Sequence, residues 1–142
     1  MANEAILMIE TELPIPMTVS NTVGIEKGAL LTLSDPLTAA KATAAGAMVA
    51  GIASDEKIAN DGMIKNGVYR RGIFKVLASG TINVGEPVGF DGGQGGNNYV
   101  YSVNEVAALS GARVAGIALE TAADEETFLM ELNIQSIPDV SQ

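Results

Sequence analysis

The 142-residue chain contains no cysteine and no histidine. Those two absences remove disulfides, thiolate and imidazole metal sites, cysteine nucleophiles and Ser-His-Asp triads together. Tryptophan is absent as well, and three Phe and three Tyr are the whole aromatic complement. Carbohydrate sites stack sugar rings on such side chains, so sugar binding is disfavoured. Basic residues are scarce: eight Lys and Arg stand against seventeen Asp and Glu, a net charge of −9. Nucleic acid demands a basic face, which argues against it as a partner. No apolar run approaches the ~20 residues of a membrane span, so no membrane partner is expected. Ala5–Ile9 is too short for a signal peptide and Met1–Glu4 has no basic residue, so the expectation is a chain made and used in soluble form.

Apolar residues make up 47% of the chain. Most are Ala, Val, Ile and Leu, which predicts one domain with a tightly spaced core rather than a large aromatic centre. The most informative pattern is a repeat: Val49-Ala50-Gly51-Ile52-Ala53 returns as Val114-Ala115-Gly116-Ile117-Ala118. A glycine at the same point of two strand-like runs predicts a sharp bend in each, and two bends can close a small barrel. Around the pentapeptides, copy one has a turn at Gly24–Gly28 and a strand at Ala29–Leu33, and copy two has Ile82–Pro87 and Val88–Phe90. Ile73–Leu77 is read as closing copy one. Phe128–Ile134 closes copy two, with Phe128, Met130, Leu132 and Ile134 alternating onto one face.

The resulting expectation is a mainly β fold, a small β-barrel or β-sandwich-like domain over 22–135. Two similar halves (about 23–78 and 81–134) follow an extended N-terminal arm (1–21), and a tail covers 136–142. One or two short helices are also expected. Asp35 caps, Pro36 starts and Gly46 ends the first, and Asn104–Gly111 forms the second. In the arm, Ile6, Leu7, Met8 and Ile9 form a short strand, and Leu13, Pro14, Ile15, Pro16 and Met17 alternate proline with large apolar residues. Proline holds such a piece extended and bars it from a central strand. Two placements fit: an arm reaching a neighbour, or an edge strand folded back on its own domain.

Chemistry is hard to find. The acidic clusters Asp55-Glu56, Asp124-Glu125-Glu126 and Glu10 with Glu12 lie in turn-like or terminal segments. Adjacent carboxylates on a strand point to opposite faces, which makes a poor acid–base pair. The loop Asp91–Asn98 is rich in glycine but carries one carboxylate, too few oxygens for calcium. No phosphate-binding glycine loop is present. No catalytic residue, cofactor or metal is expected. Five of the eight basic residues fall between Lys57 and Lys75, and Arg70 or Arg71 is a candidate for an ion pair with a neighbouring subunit. Tyr99 and Tyr101 share one strand face, suited to packing or to the rim of an interface.

Much of the chain from Val23 to Ile134 resembles the small capsid decoration, or cement, proteins of tailed bacteriophages. The resemblance rests on Ala50–Ser54, Asp61-Gly62, Arg71–Gly80, Ile82–Val88 and Val114–Ala122. It implies a β-rich structural protein without enzyme activity, made in the host cytoplasm and carried on the capsid exterior. There a homotrimer would bind major capsid protein subunits and stabilise the contacts between them. On that reading the arm, Ile6–Ile9 and Leu13–Met17, adds a strand to a capsid sheet edge. Deleting Met1–Met17 then leaves a folded domain that no longer binds particles. Two other classes fit the residues: a virion-surface module for host attachment or carbohydrate, and an enzyme working with carboxylates alone.

Overall fold

Alternating apolar and polar residues between turns of Gly, Asn and Asp lead to strands along the chain. The computed structural model describes residues 4–35, 37–42, 48–91, 98–103 and 111–137. Its strands in chain order are β1 (Ile6–Ile9), β2 (Ile15–Thr18), β3 (Leu30–Asp35), β4 (Thr38–Lys41) and β5 (Val49–Ala53). Then come β6 (Lys65–Tyr69), β7 (Arg71–Ala78), β8 (Pro87–Asp91), β9 (Tyr99–Ser102), β10 (Gly111–Ala118) and β11 (Thr127–Ile137).

The order β2-β4-β3-β5-β6 closes into a five-stranded barrel, antiparallel except for the parallel pair β2–β4. A second sheet runs β1-β7-β11-β10-β8-β9, and β9 pairs in parallel with β7. That last pairing makes β7-β11-β10-β8-β9 a ring too, with β1 lying outside it along β7. Both rings have one topology: β2 corresponds to β7, β3 to β8, β4 to β9, β5 to β10 and β6 to β11. The turns agree in detail. Ile25 and Lys57 exchange backbone hydrogen bonds, as do Ile82 and Ala122, and Gly28 N–H donates to Ala53 O as Gly85 N–H does to Ala118 O. Gly28 and Gly85 both have φ 89°.

The repeated pentapeptide is β5 itself and the end of β10. Where a bend was expected the pairing is irregular: register slips between Val49 and Gly51 against β3, and between Val114 and Gly116 against β11. Ile73–Leu77 sits elsewhere than expected. It belongs to β7, which pairs with β1, β9 and β11 and so opens the second ring, while β6 completes the first.

Of the first expected helix, Pro36 and residues 43–47 lie outside the described residues, and the rest is mainly strand where helix was expected. Asp35 ends β3 and Thr38–Lys41 forms β4. Alanine favours helix by only about 0.5 kcal/mol per residue, and this segment instead pairs with both β2 and β3. Ala39 then points into the barrel, where a small side chain fits. No helix occurs among the described residues. Of the second expected helix, 104–110 lie outside them, and Gly111 begins β10.

Two packing clusters form the interior. Met17, Ala29, Leu31, Ala39, Ala50, Ala53 and Val68 fill the first barrel, the tight small-residue core expected. The second core differs from that expectation. Phe74, Phe90 and Phe128, the three phenylalanines of the chain, are all buried there. Leu30, Val49 and Ile52 join this second cluster, so β3 and β5 supply a face that fuses the barrels. Burying each such side chain contributes about 1.5–3 kcal/mol. Leu30 N–H also donates to Asn98 Oδ1 at 3.0 Å, tying β3 to the start of β9.

Candidate interaction surfaces

The N-terminal residues singled out in the sequence separate by environment. β1 folds back on its own chain, with Ile6 opposite Lys75, Leu7 opposite Phe74 and Ile9 opposite Ile73. Its Ile6, Met8 and Ile9 side chains are exposed, while Leu7 packs on the core. β2 is a full barrel strand between β4 and β6. Met17 is 1% exposed inside the barrel, and Ile15 packs against the same core. Pro14 is half-buried and Pro16 exposed. Between the strands, Leu13 is 73% exposed. The segment is therefore not a free arm: Leu7, Ile15 and Met17 pack in the cores, and the outward apolar groups are Ile6, Met8, Ile9, Leu13 and Pro16.

β1 has β7 on one side only. Among the described residues no strand pairs with its other edge. Natural edge strands are commonly guarded by charge or proline. Ile6-Leu7-Met8-Ile9 has neither, and Glu4, Glu10 and Glu12 flank it. Glu10 accepts the Tyr69 hydroxyl proton at 2.9 Å. Burial, with Glu10 beside it, pushes the Tyr69 hydroxyl above its ordinary pKa. Tyr69 also stands edge-on to Phe74, ring centres 5.7 Å apart. Both residues line a cavity of about 460 Å³ beneath β1, together with Glu4, Leu7, Lys27 and Ser54.

Arg70 and Arg71 play different parts. Arg70 is half-buried and donates from Nη1 to Ala50 O at 2.9 Å, so it braces the first pentapeptide. Arg71 is exposed, and its Nε lies 3.9 Å from Glu12 Oε2, a loose surface pair. The carboxylates of the acidic clusters mostly fix turns. Asp124 accepts from Gly80 N–H, Glu126 from Ala123 N–H and Glu125 from the Tyr99 hydroxyl. Tyr99 and Tyr101 are both half-buried. Of the glycine-rich loop, 92–97 lie outside the described residues. Among those described, no group of three or more Asp and Glu side chains is placed to hold a metal.

One charged group is buried by design of the turn. Lys57 Nζ donates to Asn21 O (2.9 Å), Ile58 O (3.1 Å) and Asp61 Oδ1 (3.1 Å). Three donors meet three acceptors, so the ammonium is satisfied. Asp61 in turn accepts from Met63 N–H and Ile58 N–H. The Met63 bond is foremost in holding its carboxyl below the usual range; desolvation works against it, and Lys57 and Ile58 N–H add to the lowering.

Sequence reasoning missed a set of exposed apolar residues on loops of the first barrel: Val23, Leu37, Ile58, Met63 and Ile64. Val23, Leu37 and Ile58 stand among polar or small residues and Met63-Ile64 is only a pair, so none is unusual alone. Their signal appears only when the two halves are aligned on correct strands, because Ile64 then falls opposite Glu126.

No protein-family model matches the chain, and no curated protein matches it. Among solved structures, the chain is similar to the head fiber gp8.5 N base of bacteriophage phi29. The TM-score is 0.54 at 14% identity, over 92% of this chain and 98% of that one. At that identity the two share a fold.

Proposed function

We propose that this chain is a structural protein of a tailed-phage head, a decoration or cement protein on the outside of the icosahedral shell. It would form a homotrimer there and stabilise contacts between major capsid protein subunits. The observation that carries this reading is the fold itself: 92% of the chain follows the architecture of a phage head-fibre base. The side chains agree with it. The acidic clusters serve turns and ties, and the outward side chains of β1 are apolar.

The attachment mode is strand addition at β1. Its open edge offers main-chain donors and acceptors, and Ile6, Met8 and Ile9 stand ready to be covered. Because β1 is already paired with β7, it acts as a docked strand whose second edge takes the partner.

The test is to mix purified protein with shells that lack it and measure bound copies per shell after sedimentation. Saturable, stoichiometric occupancy is expected, with density on the outer surface in cryo-EM maps. Absence of binding to shells of the parent phage would remove this function.

A further inference from the structure

Where β2 ends, Thr18 N–H donates to Leu37 O at 2.8 Å and Val19 N–H to Ile64 O at 2.9 Å. Leu37 and Ile64 therefore flank the same end of the first barrel. The neighbouring turn is pinned there by Asn21, whose backbone O accepts from Asn60 N–H and whose Oδ1 accepts from Gly62 N–H, each at 2.7 Å. Ile58 and Met63 belong to that turn, and Gly24, next to Val23, packs against Lys57 and Ala59. Five exposed apolar side chains thus share one end: Val23, Leu37, Ile58, Met63 and Ile64.

The second barrel is an internal control. Its matching bond runs from Ala78 N–H to Glu126 O at 2.9 Å, so Glu126 stands where Ile64 does and Glu125 where Met63 does. Ala123 replaces Ile58, one place beyond the matched bridges of Lys57 and Ala122. Asn98 replaces Leu37, each preceding the strand that runs parallel to its ring's first strand. Leu37 has φ 47° and Asn98 φ 64°, a left-handed backbone that asparagine adopts at lower cost than leucine. Asn98 is 3% exposed, Leu37 63%. The fold thus requires neither apolar character nor a leucine at this end.

We infer that this end of the first barrel is a self-association surface, covered by the same end of further copies of this chain. Around a symmetry axis the same patch faces itself, so a patch of uncharged groups suits it and a patch of carboxylates is penalised. With a net charge of −9, copies repel wherever acid dominates, as at Asp124–Glu126. The five apolar side chains carry no charge, and Lys65 and Asp61 form a polar rim beside them. At roughly half exposure they present on the order of 500 Å² per copy, so two copies bury about the 1,000 Å² at which specific contacts begin. The choice of a trimer rests on the head-protein reading; the contact itself is tested without shells.

The full chain is to be followed by sedimentation equilibrium from low to high micromolar concentration. The mass should rise from 14.6 kDa to a multiple of it. The variant Leu37→Asn/Ile58→Ala/Met63→Glu/Ile64→Glu, which copies the second barrel, should associate at least ~10-fold more weakly. Leu37→Asn alone should keep or raise the Tm while weakening association, which separates contact from folding. Val84→Glu/Leu119→Glu, exposed apolar positions outside this end, should leave association unchanged. A wild-type chain monomeric throughout, or Leu37→Asn and the fourfold variant associating like wild type, overturns the inference. Loss of association in the Val84/Leu119 variant alone moves the contact elsewhere and overturns it equally.

Discussion

Gly51 lies against the main-chain carbonyl oxygen of Tyr69 so closely that a Cβ would overlap it. Gly116 stands in the same relation to Glu131. What the two glycines share is strand approach, β5 pressing on β6 and β10 on β11, and at Gly51 a φ of 144° adds a conformational demand of its own. Gly51→Ala and Gly116→Ala should each destabilise the protein by at least about 2 kcal/mol, since backbone must move to admit a methyl. Gly62→Ala tests the alternative cause, because its φ is +84° with nothing within 4 Å. Conformational strain alone should cost about 1–2 kcal/mol there. Urea unfolding of the three variants checks the order.

That glycine was legible because the whole β5 pentapeptide recurs and the register slip falls at one place in it. The surroundings were harder to read. Ile52 and Ile117 are the same letter in the same motif, yet Ile52 is buried against the second barrel and Ile117 is exposed. Only tertiary packing separates them. Thr38–Lys41 reads as helix because alanine favours helix locally, and ring closure between β2 and β3 overrides it. The assignment of Ile73–Leu77 to the wrong half has a similar origin. A strand's sequence shows its face but not its partner, and in each ring the first strand pairs with the last. The interface candidates divided for the same reason. Met17 and Leu13 look alike in sequence, and burial places one in a barrel and one in solvent.

Truncation separates the two N-terminal strands. Removing residues 1–9 deletes β1 and the Ala5 contact to Gly28 but spares both rings. That chain should still unfold cooperatively, at a lower Tm, and lose shell binding. Removing Met1–Met17 also takes most of β2, which opens the first barrel between β4 and β6. Its thermal transition should broaden or vanish by circular dichroism. A sharp transition after the longer deletion would contradict the closed first barrel.

The two adjacent arginines should respond oppositely. Arg70→Ala removes a charged donor from Ala50 O in a half-buried site and should cost about 1–2 kcal/mol. Arg71→Glu breaks only the 3.9 Å pair with Glu12 and should change stability by less than about 0.5 kcal/mol. Its effect is expected at the shell contact, as fewer bound copies per shell. Unchanged occupancy for Arg71→Glu would exclude it from shell contacts.

Asp61 gives the protein a defined acid sensitivity. Its carboxyl is held below the ordinary range by Met63 N–H first, against some desolvation, with further lowering from Lys57 and Ile58 N–H. A depressed folded-state value means the folded chain binds the proton less readily than the unfolded one. The associated stability is complete above the unfolded value and is lost as pH falls through the folded one. The Tm should therefore show no Asp61 contribution to its slope between pH 5 and 8 and should fall below about pH 4. Asp61→Asn keeps the shape and an acceptor oxygen but removes the charge facing the buried Lys57 ammonium. It should lower the Tm at pH 7 and flatten the acid limb, so that wild type and variant converge as pH drops. Parallel curves for the two proteins down to pH 3 would show that this carboxylate is not the group being titrated.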